Sequence, residues 1–467
     1  MVEVGDRLSY SGELCTVRFI GEIPAWPGEV AFGVEWDSLT YGDEKTGSFV
    51  KSSKKHDGTR SFYEALVNTY GTSTEAKEIK IGSKVVEQFG FEKLQRLQSD
   101  FSYLKNISLS RKEINRINKE EIILIKEQLP NLEELDLSFN LFNSLESITT
   151  IISPLGISKF KLVGNELSKV GDAQICQNIK RLDISLTKPS QDVLSVIPNY
   201  FPNVDKLLLS DNKLDKVDNW ISKLHTLEKL DLSLNNLQNL PSIISKTPIK
   251  SLNISDNQLF KFDNNIIYEN IQILDIRRND INDFDELDTL SIIFPNVIDI
   301  RINGNPVFID QTPEEMEMNI ISRFPNIKSV NGTEFSVEER TNAELYFISQ
   351  ASRDPKLITN SRVKQLAAKY EIKLETHVNP HIDNIQNQLI QLSLQTDDKT
   401  IKMNTLQTNE ILKLKGQISR LFNLSYIDIQ LSYKISQFET SINNDLSLIS
   451  SHNFENGQII YIKTSKY

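Results

Sequence analysis

LEELDLSFN, running from Leu132 to Asn140, is the stretch whose reading decides the fold. Its leucines stand at the first, fourth and sixth places, and an asparagine closes it. In an extended segment this spacing sends Leu135 and Leu137 to one face and Glu134 and Asp136 to the other. The same frame returns as ISKFKLVGN from Ile157, IKRLDISLT from Ile179, VDKLLLSDN from Val204, LEKLDLSLN from Leu227, IKSLNISDN from Ile249, IQILDIRRN from Ile271 and VIDIRINGN from Val297. The intervals are roughly 22–26 residues. A unit of that length cannot bury an apolar face alone, so successive copies have to stack, each covering its neighbour. A weaker first copy, LKNISLSRK from Leu104, lacks the asparagine, as suits a terminal unit that caps the stack.

The frame is that of the leucine-rich repeat and predicts an α/β solenoid. Leu227, Leu230 and Leu232 point inward from a short strand and stack on their equivalents one repeat away. Asn140, Asn165, Asn212, Asn235, Asn257, Asn279 and Asn305 form a column where the chain leaves each strand. There a buried amide satisfies backbone groups that no sheet partner reaches. Thr187 breaks the column and is expected to serve only in part. These residues build a scaffold and perform no chemistry. Binding is expected instead on the outward strand positions of the concave side. Those positions hold Glu134 and Asp136, Lys159 and Lys161, Arg181 and Asp183, Lys206 and Leu208, Lys229 and Asp231, Asp275, Asp299 and Arg301. The candidate contacts are Asp136, Lys161, Asp183, Lys206, Lys229, Asp231, Asp275 and Arg301. Their signs alternate along the chain, which suits a folded protein partner better than a polyanion. A merely solvated face is the plainer alternative.

The array closes at NGNPVFID and RFPNIKSVNGTEF, with Pro306 stopping the regular turn. A helix from Glu338 to Gln350 follows, capped by Ser336, and VKQLAAKYE marks a second helical stretch in a polar connector.

The bulk properties fit a multidomain protein of ordinary type. A length of 467 residues favours two to four domains, and 39% hydrophobic residues suffice for real cores. The net charge of −11 argues against general nucleic-acid binding. Cys15 and Cys176 are too few for a secreted disulfide scaffold and favour a reducing compartment. No apolar run reaches the roughly 18–20 residues of a membrane helix, and MVEVGDRLSYSGELC has no signal-peptide pattern. The expectation is a cytosolic protein.

Beyond about Gln386 the period changes. QLIQLSLQT and KTIKMNTLQ alternate apolar and polar residues around Asp397-Asp398, which predicts a hairpin. NEILKLKGQISRLFN then places Ile411, Leu414, Ile418 and Leu421 on one helical face, with Asn409 as its cap. IDIQLSYKI and GQIIYIK read as further strands. This order resembles the ubiquitin-like β-grasp fold, an α+β domain. YIKTSKY carries no Gly-Gly, so conjugation is not implied.

At the other end, VGDRL, CTVRFIG and AFGVEWD closely resemble the CAP-Gly module. That family forms a small all-β, barrel-like domain that binds acidic C-terminal tails ending in an aromatic residue, above all that of α-tubulin. Its reading motif has the form GK(N/H)DG. Here KHDG, Lys55 to Gly58, looks like the motif, but Lys54 replaces the leading glycine. It also follows GSFVK, Gly47 to Lys51, whereas in the family that strand lies downstream of the motif. By order, Lys54-Lys55-His56 is an exit linker of a shortened module, with Gly42 and Lys45 as the nearest relics of the motif. The alternative is a repositioned tail-binding loop using Phe32, Trp36, Lys54, Lys55, His56, Asp57 and Gly58.

The whole chain, with SFYEALVNTYG and VVEQFGFEKL as further points of likeness, resembles the tubulin-folding cofactor E family. The expected division is 1–75 CAP-Gly-like, 76–340 leucine-rich repeats with caps, 341–385 connector and 386–467 ubiquitin-like. The resemblance implies binding of α-tubulin after its release from the chaperonin. It also implies assembly of the αβ heterodimer with β-tubulin and tubulin-folding cofactors C and D, in the cytoplasm and at the cytoskeleton. It implies no enzyme activity and no cofactor, nucleic acid or membrane partner. No phosphate-cradling loop or nucleophile elbow occurs. His377 and His381 in HVNPH are separated by Pro380 and completed by no other ligand, so no metal is expected. The second reading is a leucine-rich-repeat regulatory subunit of a phosphatase or other signalling complex, which the NGNP to NGTEF cap also resembles.

Overall fold

The computed structural model describes residues 2–37, 48–71, 80–81, 84–85, 101–351, 354–374, 389–435 and 438–464. Gly42, Lys45, His377, His381 and most of VVEQFGFEKL lie outside them. The chain packs as two units, Met1–Ile309 and Asp310–Tyr467.

The first unit begins with an antiparallel sheet of β1 (Arg7–Tyr10), β2 (Glu13–Ile23), β3 (Trp26–Trp36) and β4 (Ser48–Lys51), hydrogen-bonded in that order. Ser11 and Gly12 join β1 to β2, both at positive φ. Two left-handed residues in a two-residue loop give the turn whose twist matches a hairpin, and Gly12 takes it without strain. Leu8, Tyr10, Cys15, Val17, Phe32, Val34 and Val50 form the core of this sheet. A helix, Phe62–Tyr70, follows with a complete capping box between Ser61 and Glu64.

The repeats form a parallel ladder. Strands 106–108, 134–136, 159–161, 181–183, 206–208, 229–231, 251–253, 273–275 and 299–301 pair in sequence order, each in register with the next. Their central residues, from Ile107 through Leu135, Phe160, Leu182, Leu207, Leu230, Leu252 and Leu274 to Ile300, make one continuous stack no more than 2% exposed. Burial of each contributes about 2 kcal/mol.

The turn after each strand explains the asparagine column. The residue before the column position is left-handed in every repeat: Phe139, Gly164, Leu186, Asp211, Leu234, Asp256, Arg278 and Gly304. This conformation costs a residue other than glycine roughly 1 kcal/mol, and it leaves carbonyls and amides turned inward. Asn235 shows the compensation. Its Nδ2 donates to Leu209 O at 3.0 Å and Leu232 O at 2.9 Å, one in each of two repeats. Its Oδ1 accepts from the backbone of Asn212 and Leu214 at 3.0 and 2.9 Å. Thr187 keeps one of these bonds, Oγ1 donating to Ile184 O at 2.7 Å.

The second unit holds helices Pro313–Arg323, Val337–Ala351 and Ser361–Lys369, then a mixed sheet. Ser336 and Glu339 cap the second helix reciprocally, Ser336 N donating to Glu339 Oε2 and Glu339 N to Ser336 Oγ. The sheet runs 400–406, 389–395, 459–464, 429–435, 438–442, with 389–395 parallel to 459–464. Helix Ile411–Phe422 packs Ile411, Leu414 and Ile418 against it, giving the β-grasp arrangement.

Two expectations for this helix need correction. Leu421 is 44% exposed, while Phe422 and Leu424 pack on the core instead. Measured from the middle of the Ile411, Leu414 and Ile418 stripe, Leu421 and Phe422 stand about 50° to either side, and the core covers the Phe422 flank. Asn409 is not the cap; Glu410 holds that position without a side-chain bond. The first-turn amides of Ile411 and Leu412 donate to the carbonyls of Ser447 and Asp445 at 2.8 and 2.6 Å, so no capping side chain is required.

Candidate functional site

The concave face of the first unit carries two rows of side chains, set by the register. One row places Glu134, Lys159, Arg181, Lys206, Lys229 and Ser251 on successive strands. The other places Asp136, Lys161, Asp183, Leu208, Asp231, Asn253, Asp275 and Arg301. Charges that alternate along the chain are therefore sorted across the sheet into a basic stripe and a mainly acidic one.

The acidic candidates have local work to do. Asp183 accepts from Ser185 N and Oγ at 3.2 and 2.8 Å. Asp231 accepts from Ser233 N and Oγ at 2.9 and 2.6 Å, and from Asn253 Nδ2 at 3.0 Å. Asp136 accepts from Ser138 N at 2.9 Å. Asp275, 7% exposed, is gripped by Arg277. These carboxylates fasten the strand exits. Lys161 is paired with Glu134 at 2.5 Å, and Arg301 stands exposed at the end of its row. Lys206 and Lys229 lie beside Arg181 with no ion pair among the described residues. Burial, then Arg181 and Lys229, hold the Lys206 ammonium below its ordinary range.

The N-terminal candidates gather around Tyr10. Phe32 is buried in the sheet core. Trp36 meets Tyr10 edge-on at 6.0 Å between centroids, and its Nε1 donates to Ser48 Oγ. Lys54 Nζ lies 5.2 Å from the centre of the Tyr10 ring, and His56 approaches it edge-on at 6.4 Å. Asp57 fixes the segment: its carboxylate accepts from Ser9 Oγ at 2.5 Å, Gly12 N at 2.8 Å and Ser11 N at 3.1 Å, while its own N–H donates to Ser9 O at 2.7 Å. The bonds from Gly12 and Ser9 hold that carboxyl below the usual range. Gly58 has open space where a Cβ would stand, and Lys55 is exposed. The segment is thus pinned to the β1–β2 turn by its aspartate, and the Lys55 side chain has no hydrogen bond or ion pair among the described residues. Lys55→Ala is expected to leave affinity for an acidic-tail peptide within a few tenths of a kcal/mol. A loss above ~1.5 kcal/mol, the scale of a hydrogen bond to a charged group, shows that the loop reads tails.

Sequence reading missed the contacts that join the N-terminal sheet to the repeats. Arg7, its side chain 2% exposed, pairs with both oxygens of Asp37 at 2.8 and 2.6 Å. It also donates to the carbonyls of Asn140 and Gly164 at 3.4 and 3.0 Å. Glu35 accepts from Lys188 at 2.5 Å and Arg18 at 2.8 Å. Burial opposes ionisation of Glu35, but those two cations overcome it and hold the carboxyl at about 2. Thr16 donates to Glu166 at 2.7 Å. Partners more than a hundred residues apart leave no local pattern to read.

Among the described residues no group of three or more His, Cys, Asp or Glu is placed to hold a metal ion. Both cysteines are buried and free, their thiols pushed up to about 12 by burial. In the second unit Ser447 Oγ lies within hydrogen-bond distance of both His452 Nε2, at 2.6 Å, and Asn444 O, at 2.7 Å. Burial lowers the His452 imidazole to about 4. No described helix is long and apolar enough to cross a membrane.

No family model matches the chain. Protein PAC2 of Saccharomyces cerevisiae is 28% identical over 509 residues, covering 99% of this chain and 97% of that protein. Tubulin-specific chaperone E of Xenopus laevis is 27% identical over 516 residues, with 98% of each chain covered. The chain is similar to the tubulin-specific chaperone E proteins over 98% of its length. The solution structure of the C-terminal ubiquitin-like domain of mouse tubulin-specific chaperone E is 24% identical, covers 17% of this chain and 90% of that domain, and has a TM-score of 0.17.

Proposed function

We propose that this chain is a tubulin-folding cofactor that holds α-tubulin after its release from the chaperonin and helps assemble the αβ heterodimer. The observation that carries this reading is the similarity to tubulin-specific chaperone E across 98% of both chains. Similarity over that length includes every part of the architecture, so it is not the echo of one common repeat. β-tubulin and cofactors C and D are the further partners, and the place of action is the cytoplasm and the cytoskeleton.

The division of labour follows the architecture. Residues 1–75 form the CAP-Gly-like part and take the acidic tail; residues 76–340, the capped repeats, hold the tubulin body through the concave face. Residues 341–385 connect them to the ubiquitin-like part, 386–467, which contacts a further partner. The action is binding, with no catalytic residue and no cofactor. The Arg7 and Glu35 contacts support joint engagement, since they fix the N-terminal sheet against the first repeats.

Co-purification tests the proposal. Tagged chain is expected to recover α-tubulin, and recovery should fall when the acidic tail is removed. Recovery of a phosphatase without tubulin would replace the proposal with the regulatory-subunit reading.

A further inference from the structure

Arg181, Lys206 and Lys229 occupy directly paired positions on three neighbouring strands. Strands in a sheet lie about 4.8 Å apart, so three positive side chains leave one face at close quarters. Like charges directly opposite one another destabilise a sheet. Relief from within the chain is slight. None of the three forms an ion pair among the described residues; Oδ1 of Asp183 and of Asp231 is taken by Ser185 and Ser233, and Asp231 Oδ2 by Asn253. The Nε of Arg181 is buried and has no hydrogen-bond partner. Lys159 continues the row, but Glu134 lies 3.8 Å from its ammonium. A chain of net charge −11 therefore concentrates positive charge on one narrow stripe of its concave face, where Asp183 and Asp231 act on Lys206 without forming an ion pair to it.

We propose that the juxtaposed Arg181, Lys206 and Lys229 are a binding stripe for an acidic segment of a protein partner, whose Asp and Glu carboxylates bridge the three cations. Guanidinium and ammonium donors complete charge-assisted hydrogen bonds to carboxylates, and the unpartnered Nε of Arg181 gains an acceptor. The stripe is one row wide, because the aspartate row stands on the same strands about 7 Å away. A peptide fits within that width. A nucleic acid, charged along both edges, would lie against the aspartates. This assignment rests on the reading of the chain as a holder of a protein partner, and adds the surface and the chemistry of the contact.

The test uses the full chain and a fluorescein-labelled octaglutamate peptide, followed by fluorescence anisotropy at several salt concentrations. The triple variant Arg181→Gln, Lys206→Gln, Lys229→Gln is expected to bind at least tenfold more weakly and with a shallower salt dependence. Its melting temperature is expected to equal or exceed that of the parent, since repulsion is removed. The charge-keeping double variant Lys206→Arg, Lys229→Arg is expected to bind as the parent does. The stripe is refuted if the parent ignores the peptide, if the triple variant binds it equally well, or if the arginine variant is as weak as the glutamine one. Displacement of the peptide by an equal concentration of octauridylate RNA also overturns it. Capture of α-tubulin by the triple variant at parental affinity sinks the stripe and leaves the cofactor reading standing. Peptide binding through the stripe by a chain that captures no α-tubulin does the reverse.

Discussion

Replacing Asn235 by alanine is expected to lower the unfolding free energy by about 3 kcal/mol. The side chain is 5% exposed and serves two repeats at once. Its removal strands the carbonyl of Leu209 and the amides of Asn212 and Leu214, all buried within the turn, while Leu232 O keeps its bond from Asn257 Nδ2 at 3.0 Å. Each stranded buried group costs about 1–3 kcal/mol, and partial relaxation keeps the total below the sum. Asn235→Asp is expected to be no better, because a carboxylate cannot donate to the two carbonyls. Thr187→Ala is the internal control: one hydroxyl bond is lost, so about 1 kcal/mol is expected. Urea unfolding followed by circular dichroism gives all three values. Equal effects at 187 and 235 would show that the column is ornamental.

The second large effect concerns Glu344, 2% exposed between two helices of the second unit. Its carboxylate is met by Arg362 at 3.1 Å, Arg340 at 3.5 Å, Tyr370 Oη at 2.7 Å and the Lys369 ammonium. Glu344→Gln keeps the shape and removes the charge, leaving three cations facing one another. Breaking a buried pair in this way costs about 3–5 kcal/mol, and we expect the lower end because Lys369 reaches solvent. Burial pushes the Glu344 carboxyl upward, but the bonds from Lys369 and Tyr370 prevail and its value in the fold is lowered. A lowered value means that the stabilisation is fully present above the unfolded glutamate range, about 4.3, and is lost as pH falls through the folded value. The stability gap between parent and variant should therefore be constant near neutrality and narrow on acidification below that range. A gap that is absent at pH 7, or independent of pH, contradicts the hub.

Much of the architecture was legible because it is periodic. The inward leucines, the asparagine column and its Thr187 interruption are consequences of one frame, and the sheet at 389–464 announces itself by a change of period. The cationic stripe was legible too, but only down the columns of the aligned frame; read along the chain, Lys229 and Asp231 cancel. Leu421 was misplaced because it stands on one flank of the buried stripe, and nothing local shows that the core closes over the other flank, at Phe422. Asn409 looked like a cap because nothing local shows that Ser447 and Asp445 supply the acceptors. The Arg7 and Glu35 contacts had no signal at all, and the role of Asp57 as a pin on the Ser9–Gly12 turn depends on a return of the chain across 45 residues.

Sedimentation of the purified chain mixed with α-tubulin freshly released from the chaperonin tests the central claim most directly. A stoichiometric complex is predicted, formed without consumption of any nucleotide or small substrate. Two separately migrating species at micromolar concentration would contradict it.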